Sequence, residues 1–183
     1  VNHLDLLTQH ACLSNDGSRM YFTICNYVTG AEIQCDIYTS KKDKSGEWSE
    51  RLKLPDNINA SGSTSTHPAI MKNPYDGKHY LLFVSDRKGG KGRLDIWMSE
   101  ILGDNLYGTP KNLEDINTFD DDVTPFYHSD SNKLYFSTKG RKGLGEFDIY
   151  QARFTGSEWK DISNIGYPIN GPTNDWYPFI MDG

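Results

Sequence analysis

An all-β fold of repeated four-stranded antiparallel sheets is predicted by three observations. A short apolar segment headed by an acid occurs three times, as Cys35-Asp36-Ile37-Tyr38, Leu94-Asp95-Ile96-Trp97 and Phe147-Asp148-Ile149-Tyr150. Asp36 to Asp95 is 59 residues and Asp95 to Asp148 is 53, a period that belongs to stacked or radial repeat units. No stretch spaces its apolar residues at 3.6, so no helix is expected.

The elements of each repeat follow in order. A short first strand has Pro or Ala near its start: His10-Ala11, His67-Pro68, Thr124-Pro125. A tight turn comes next, at Asp16-Gly17, Asp76-Gly77 and Ser131-Asn132, and Asp-Gly between apolar runs is a strong hairpin signal. The second strand carries a shared Phe: Met20-Tyr21-Phe22-Thr23, Leu81-Leu82-Phe83-Val84, Leu134-Tyr135-Phe136-Ser137. The third is the Asp-headed segment. An aromatic then marks a further turn (Trp48, Tyr107, Trp159), and a closing segment ends in Ile-Asn at 58–59, 116–117 and 169–170. A fourth copy opens at Trp176-Tyr177-Pro178-Phe179 and stops at its own turn, Asp182-Gly183.

Four antiparallel strands per repeat of this length is the pattern of a β-propeller blade. The expected division is blade 1 over about 8–62, blade 2 over 63–121, blade 3 over 122–173 and the start of a next blade over 174–183. Propellers have 4–8 blades, so further blades from the same chain or from a partner are expected. The ends at Val1 and Gly183 read as cuts through a longer polypeptide. Aromatics at 13% suit flat rings packed between thin sheets. The net charge of −6 argues against a general nucleic-acid partner, and no 18-residue apolar run exists to span a membrane.

Cys25 and Cys35 face each other at the mouth of the first repeat's central hairpin. They read as a disulfide, which favours an oxidising compartment such as a periplasm, or as two free thiols in a reducing one. Cys12, on a short strand, reads as a buried free thiol.

Loops joining second to third strands should emerge on one face with the loops between repeats. The first kind carries seven cations, Arg87, Lys88, Lys91, Arg93, Lys139, Arg141 and Lys142. These form either a solvated surface or a docking patch for an acidic or anionic partner. The second kind should rim the central channel with His67, Asp120, Asp121, Asp122 and Asp175. Three consecutive Asp could hold a hard cation, but successive side chains diverge and no metal site is assigned. The glycine loops 89–92 and 140–145 lack the following helix of a phosphate-binding loop. Asp36, Asp95 and Asp148 recur in every repeat and are expected to be structural, accepting bonds from adjacent turn N–H groups. There is no Gly-x-Ser-x-Gly elbow and no His-x-x-x-His zinc spacing, so no catalytic residue and no cofactor is expected.

The string His67-Pro68-Ala69, Asp76-Gly77-Lys78, Leu82-Phe83-Val84-Ser85-Asp86-Arg87, Gly89-Gly90, Asp95-Ile96-Trp97 resembles the PD40 repeat, the WD40-like repeat of TolB-like propellers. The third repeat departs at Ser131-Asn132, and the first at Ala11 and its cysteine loop. The segments Asn164-Ile165-Gly166-Tyr167-Pro168-Ile169-Asn170 and Met20-Tyr21-Phe22-Thr23-x-Cys25 resemble propellers joined to TPR repeats and an OmpA-like domain in envelope proteins, among them a component of type IX secretion. That resemblance implies a non-catalytic periplasmic scaffold, associated with the outer membrane and bound to other envelope or secretion proteins. The alternatives are a carbohydrate-active propeller enzyme, or a small-ligand or cation-binding module, with its site at the channel rim.

Overall fold

The computed structural model describes residues 7–29 and 32–180. They form 13 strands in three antiparallel sheets, with no helix among the described residues. The first sheet is β1 (Leu7–Leu13), β2 (Arg19–Thr29), β3 (Glu32–Lys41) and β4 (Leu52–Lys53), paired in that order. The second is β5 (Ser65–Lys72), β6 (His79–Ser85) and β7 (Asp95–Gly103), with β8 (Leu106–Tyr107) and β9 (Lys111–Asn112) both on β7. The third is β10 (Asp122–His128), β11 (Lys133–Thr138), β12 (Asp148–Phe154) and β13 (Trp159–Asn164). The chain is thus an all-β propeller assembly of consecutive meander blades.

The first hairpin of each sheet turns where a residue adopts positive φ: Gly17 at 68°, Gly77 at 71°, and Asn132 at 54° where the third repeat has no glycine. Asn tolerates that region better than other side chains, so the departure from Asp-Gly costs little.

Alternation along the strands builds two cores. On β6, Leu81 and Phe83 pack against Tyr21, Ile37, Leu54 and Ile58 of the first sheet. Leu82 and Val84, one residue on, pack against Val123, Tyr127, Leu134 and Phe136 of the third. The period of two sends neighbours to opposite faces, so the second sheet is a double-sided filling. Phe83 lies opposite Trp97 and Phe136 opposite Tyr150, and each Phe is fully buried. Burying one such ring contributes roughly 1.5–3 kcal/mol.

Three expectations need correction. Cys25 and Cys35 do not sit at the mouth of their hairpin. They lie directly opposite one another inside β2 and β3, because the ladder continues to Asn26, Tyr27 and Thr29. The Ile-Asn pairs are not on the outer strands. They end tight turns after them, where Asn59 N–H donates to the Pro55 carbonyl and Asn117 N–H to the Leu113 carbonyl, both at 2.9 Å. The outer edge of the second sheet is two short strands, because the chain turns tightly between the paired Gly103 and Leu106, slips register between Ile101 and Gly103, and only then returns to β7. The expected turn at Asp182-Gly183 lies outside the described residues.

The closing Asn explains how such short outer strands suffice. Asn59 accepts from Ile37 N–H at 2.8 Å and donates to Ile37 O at 2.9 Å, and Asn170 does the same to Ile149 at 2.9 and 2.8 Å. A buried amide side chain thereby supplies the pairing that an absent strand residue would have made.

Candidate functional site

The inner strands converge on an axis, and each carries the same distortion. The β1–β2, β5–β6 and β10–β11 ladders slip between Gln9 and Cys12, Thr66 and Ala69, and Val123 and Phe126. At each slip one residue enters the left-handed region: His10 (φ 53°), His67 (48°) and Thr124 (50°), and Tyr177 (59°) does so at the matching place in the fourth copy. Pro follows in three of the four, and it has no N–H to give a ladder, so a bulge there leaves nothing unpaired. A non-glycine residue at positive φ costs about 1–3 kcal/mol, and such strain collects at functional sites.

Three of these four side chains meet. The His10 ring stacks on the His67 ring with centroids 3.8 Å apart. His10 Nε2 lies 2.8 Å from the Tyr177 hydroxyl, and Nδ1 lies 3.1 Å from Thr66 Oγ1. Thr124 turns aside and donates to Ser137 Oγ at 2.9 Å. Burial, then the neighbouring His10, holds His67 down to about 3, and burial lowers His10 as well. Both imidazoles are therefore neutral at pH 7. An apolar cavity of 530 Å³ is lined by Cys12, Met20, Trp48, Ile70, Phe126 and Phe179, and by none of His10, His67 and Tyr177. Burial pushes the Cys12 thiol up to about 12.

His67 was marked for this rim by the sequence, but its acidic neighbours occupy other places. Asp122 is fully buried, and its Oδ2 accepts from Thr118 N–H at 2.5 Å and Thr118 Oγ1 at 2.9 Å. Asp121 is ion-paired with Arg93 at 2.5 Å, and Asp175 accepts from Gly171 N–H at 2.8 Å. Asp120 alone of the four is exposed, and its carboxylate accepts no bond among the described residues. The run 120–122 does not converge, and no cluster of three metal-ligating side chains occurs among the described residues. The missed members, His10 and Tyr177, could have been found by aligning His-Ala, His-Pro, Thr-Pro and Tyr-Pro as one repeat position.

The cations do share a face with the inter-blade loops, since Thr64 N–H donates to Asp86 Oδ1 at 2.7 Å. They are not one free patch. Arg87 Nη1 donates to Asn57 O at 2.8 Å and its Nη2 to Ile58 O, while its guanidinium lies 4.8 Å from the Phe83 ring centre. Arg141 Nη2 reaches the matching carbonyls one blade on, Asp115 O at 3.2 Å and Ile116 O at 2.7 Å. Lys91 donates to Glu114 O and Asn117 O at 2.7 and 3.1 Å, and Lys139 pairs with Glu146 at 3.6 Å. Lys88 and Lys142 are exposed and have no side-chain partner among the described residues.

The repeated acids are structural in two blades. Asp95 accepts from Lys91 and Gly92 N–H at 2.5 and 3.0 Å, and Asp148 from Leu144 and Gly145 N–H at 2.6 and 3.3 Å. A Cβ on Gly90 or Gly143 would strike those carboxylates, so these loop glycines make room for the Asp. Asp36 departs from the expectation: its hairpin continues as strand, offers no turn, and its carboxylate pairs instead with Lys53 at 2.7 Å. Cys25 and Cys35 form a disulfide at the base of that longer hairpin.

No family model and no curated protein matches the sequence. Among solved structures, the chain is similar to a puromycin-hydrolyzing peptidase of Mycobacterium tuberculosis, with TM-score 0.52 and 16% identity over 85% of this chain and 23% of that one. It is also similar to a xylan β-1,4-xylosidase of Bacillus halodurans C-125, with TM-score 0.55 and 18% identity over 88% of this chain and 31% of that one. The chain spans less than a third of either protein's length, and at these identities the likeness is one of fold.

Proposed function

We propose that this chain is a non-catalytic interaction scaffold, a propeller segment of a cell-envelope protein that docks other envelope or secretion proteins. The observation that carries the reading is the axis itself. It is lined by the neutral His10–His67–Tyr177 group, while Asp121, Asp122 and Asp175 are bonded to their own or adjoining loops. Acid–base hydrolysis of a glycoside needs two free carboxylates facing a cleft. The Cys25–Cys35 bond supports an oxidising compartment such as the periplasm, and the PD40-like and envelope-type motifs support the outer-membrane association. Docking would use the loop face through Lys88 and Lys142, the two of the seven loop cations with no side-chain partner among the described residues. The experiment is crosslinking capture from native Gram-negative envelopes with the wild type and with Lys88→Glu/Lys142→Glu. A salt-sensitive partner weakened by the charge reversal is expected, and capture that ignores both salt and reversal removes the proposal.

A second reading, a carbohydrate-active propeller, is favoured by the likeness to a xylosidase and by exposed aromatics at 176–179 beside the axis, which suit stacking on sugar rings. Turnover of aryl glycosides that is lost in Asp120→Asn would establish it over the scaffold.

A further inference from the structure

The first and second sheets leave a groove of 740 Å³ between them, at the strand ends opposite the loop face. The first sheet supplies Arg19 and Tyr21 of β2 and Lys41 of β3, and the second supplies Ile70 and Lys72 of β5 and the end of β7 with Asp104. Four lining residues are cations (Arg19, Lys41, Lys72, Lys78) and two are carboxylates (Asp16, Asp104). The groove is therefore positive on a chain whose net charge is −6.

One carboxylate is held here oxygen by oxygen. Arg19 Nη2 donates to Asp104 Oδ1 at 2.5 Å, and Lys41 Nζ donates to Asp104 Oδ2. The Arg19 side chain is only 16% exposed, and its Nη1 also reaches Thr39 Oγ1 at 3.5 Å, so the guanidinium is fixed. Asp104 is the loose member. It sits on the turn between β7 and β8 with its side chain 64% exposed. Exposed ion pairs stabilise little, so exchanging this carboxylate for another costs the fold little. Beside the pair, Lys72 has no side-chain partner among the described residues, and Ile70, Ile101 and Leu102 form an apolar wall. Behind Tyr21, the Tyr107 hydroxyl is buried with no partner in hydrogen-bonding geometry, although the residue is only 5% exposed. Arg19 and Asp104 act electrostatically on both phenols, so these hydroxyls lie near the ion pair.

We propose that this groove binds a small organic carboxylate, whose head takes the seat of Asp104 between Arg19 and Lys41 and whose apolar body lies along Ile70, Ile101 and Leu102. The seat already fits a carboxylate, because the chain's own Asp104 fills it. Asp104 is thus both the stand-in for the ligand and its built-in competitor. Lys72 attracts the incoming anion without giving up a pair of its own. Inorganic phosphate matches the charge but leaves the apolar wall wet, whereas each methylene laid on that wall adds up to about fourfold in affinity. The groove lies away from Lys88 and Lys142, so the inference stands apart from the docking proposed for the loop face.

The test is an amide chemical-shift titration of the intact chain at pH 7 and constant ionic strength. The probes are acetate, butyrate and hexanoate, with inorganic phosphate and hexanol as controls for charge alone and apolar body alone. Hexanoate should saturate and move amides of residues 19–21, 70–72 and 101–104, with affinity rising roughly two- to fourfold per methylene along the acids. Phosphate and hexanol should each bind more weakly than hexanoate. Asp104→Asn, which removes the competitor, should bind hexanoate about fivefold tighter, and Lys72→Glu about fivefold more weakly. No saturable hexanoate shift, hexanol binding as tight as hexanoate, affinity flat along the acids, binding not tightened in Asp104→Asn, binding unchanged in Lys72→Glu, or shifts confined to the cavity of Cys12 and Phe126 would each overturn the site.

Discussion

The Asn117 side chain brackets a single residue, Ile96: its Oδ1 accepts the Ile96 N–H at 2.9 Å and its Nδ2 donates to the Ile96 carbonyl at 2.8 Å. Both residues are buried, Ile96 at 0% and Asn117 at 2% exposure. Asn117→Ala leaves the Ile96 N–H without that acceptor in the core, while the Ile96 carbonyl keeps its bond from Leu113 N–H at 3.1 Å. One orphaned donor costs about 1–3 kcal/mol, so a loss of that size in urea unfolding at pH 7 is expected. Asn117→Asp keeps the acceptor, loses the donor and places a charge in the core, so it should do no better than the alanine.

Arg87 and Arg141 join consecutive blades through equivalent carbonyls, although they come from loop positions one residue apart. Arg87→Met keeps apolar cover over Phe83 and Trp97 but abandons Asn57 O and Ile58 O. A loss of about 2–3 kcal/mol is expected from hydrogen bonds donated by a charged group. Arg87→Lys should recover only part of it, because one ammonium cannot copy the planar fork. Lys88→Met, one residue on, should stay within about 0.5 kcal/mol. Equal urea midpoints for the two methionine variants would refute the clamp.

What the sequence made legible was whatever repeats in side-chain type. Phe83 and Asp95 announce their strands because burial and turn-capping demand those residues at those places. The same logic placed Cys25 opposite Cys35. What stayed hidden is backbone behaviour that many side chains tolerate. His10, Thr124 and Tyr177 share positive φ without sharing chemistry, so composition could not group them. Asp122 looked like a rim residue because a run of acids in a loop is normally solvated. Its burial follows from Thr118, four residues back, which turns the carboxylate inward. Arg87 looked free for the same reason: the carbonyls it serves are invisible in a sequence.

The Cys25–Cys35 bond closes a hairpin whose tip carries exposed Tyr27, Val28 and Ile33. Reduction, or Cys25→Ser/Cys35→Ser, should cost about 2–3 kcal/mol, the loop-closure entropy of a link this short. Cys12 should behave in the opposite way. With its thiol pushed up to about 12, it should resist alkylation at pH 8 in the folded chain and react promptly once unfolded. Mass spectrometry after iodoacetamide checks both, and labelling of Cys12 as fast as a free thiol in native protein would contradict the burial.

The carboxyl of Asp122 gives a pH dependence of stability opposite in sign to that of the axial histidines. Its Oδ2 takes both bonds from Thr118, while Oδ1 is buried with no hydrogen-bond partner. Burial raises it above the usual 3.8, outweighing the Thr138 hydroxyl beside it and both Thr118 bonds. The folded chain therefore holds this proton more tightly than the unfolded chain. Stability from this site grows as pH falls through the raised value, is complete below 3.8, and is absent at pH 7. Asp122→Asn keeps an acceptor for Thr118 and removes the buried charge. The variant should be the more stable protein at pH 7, and its advantage should shrink steadily as pH approaches 3.8. Paired urea titrations across that range measure it directly. An advantage that stays constant with pH would mean that the carboxyl is not held protonated by burial, and that the Thr138 and Thr118 groups around it set its state.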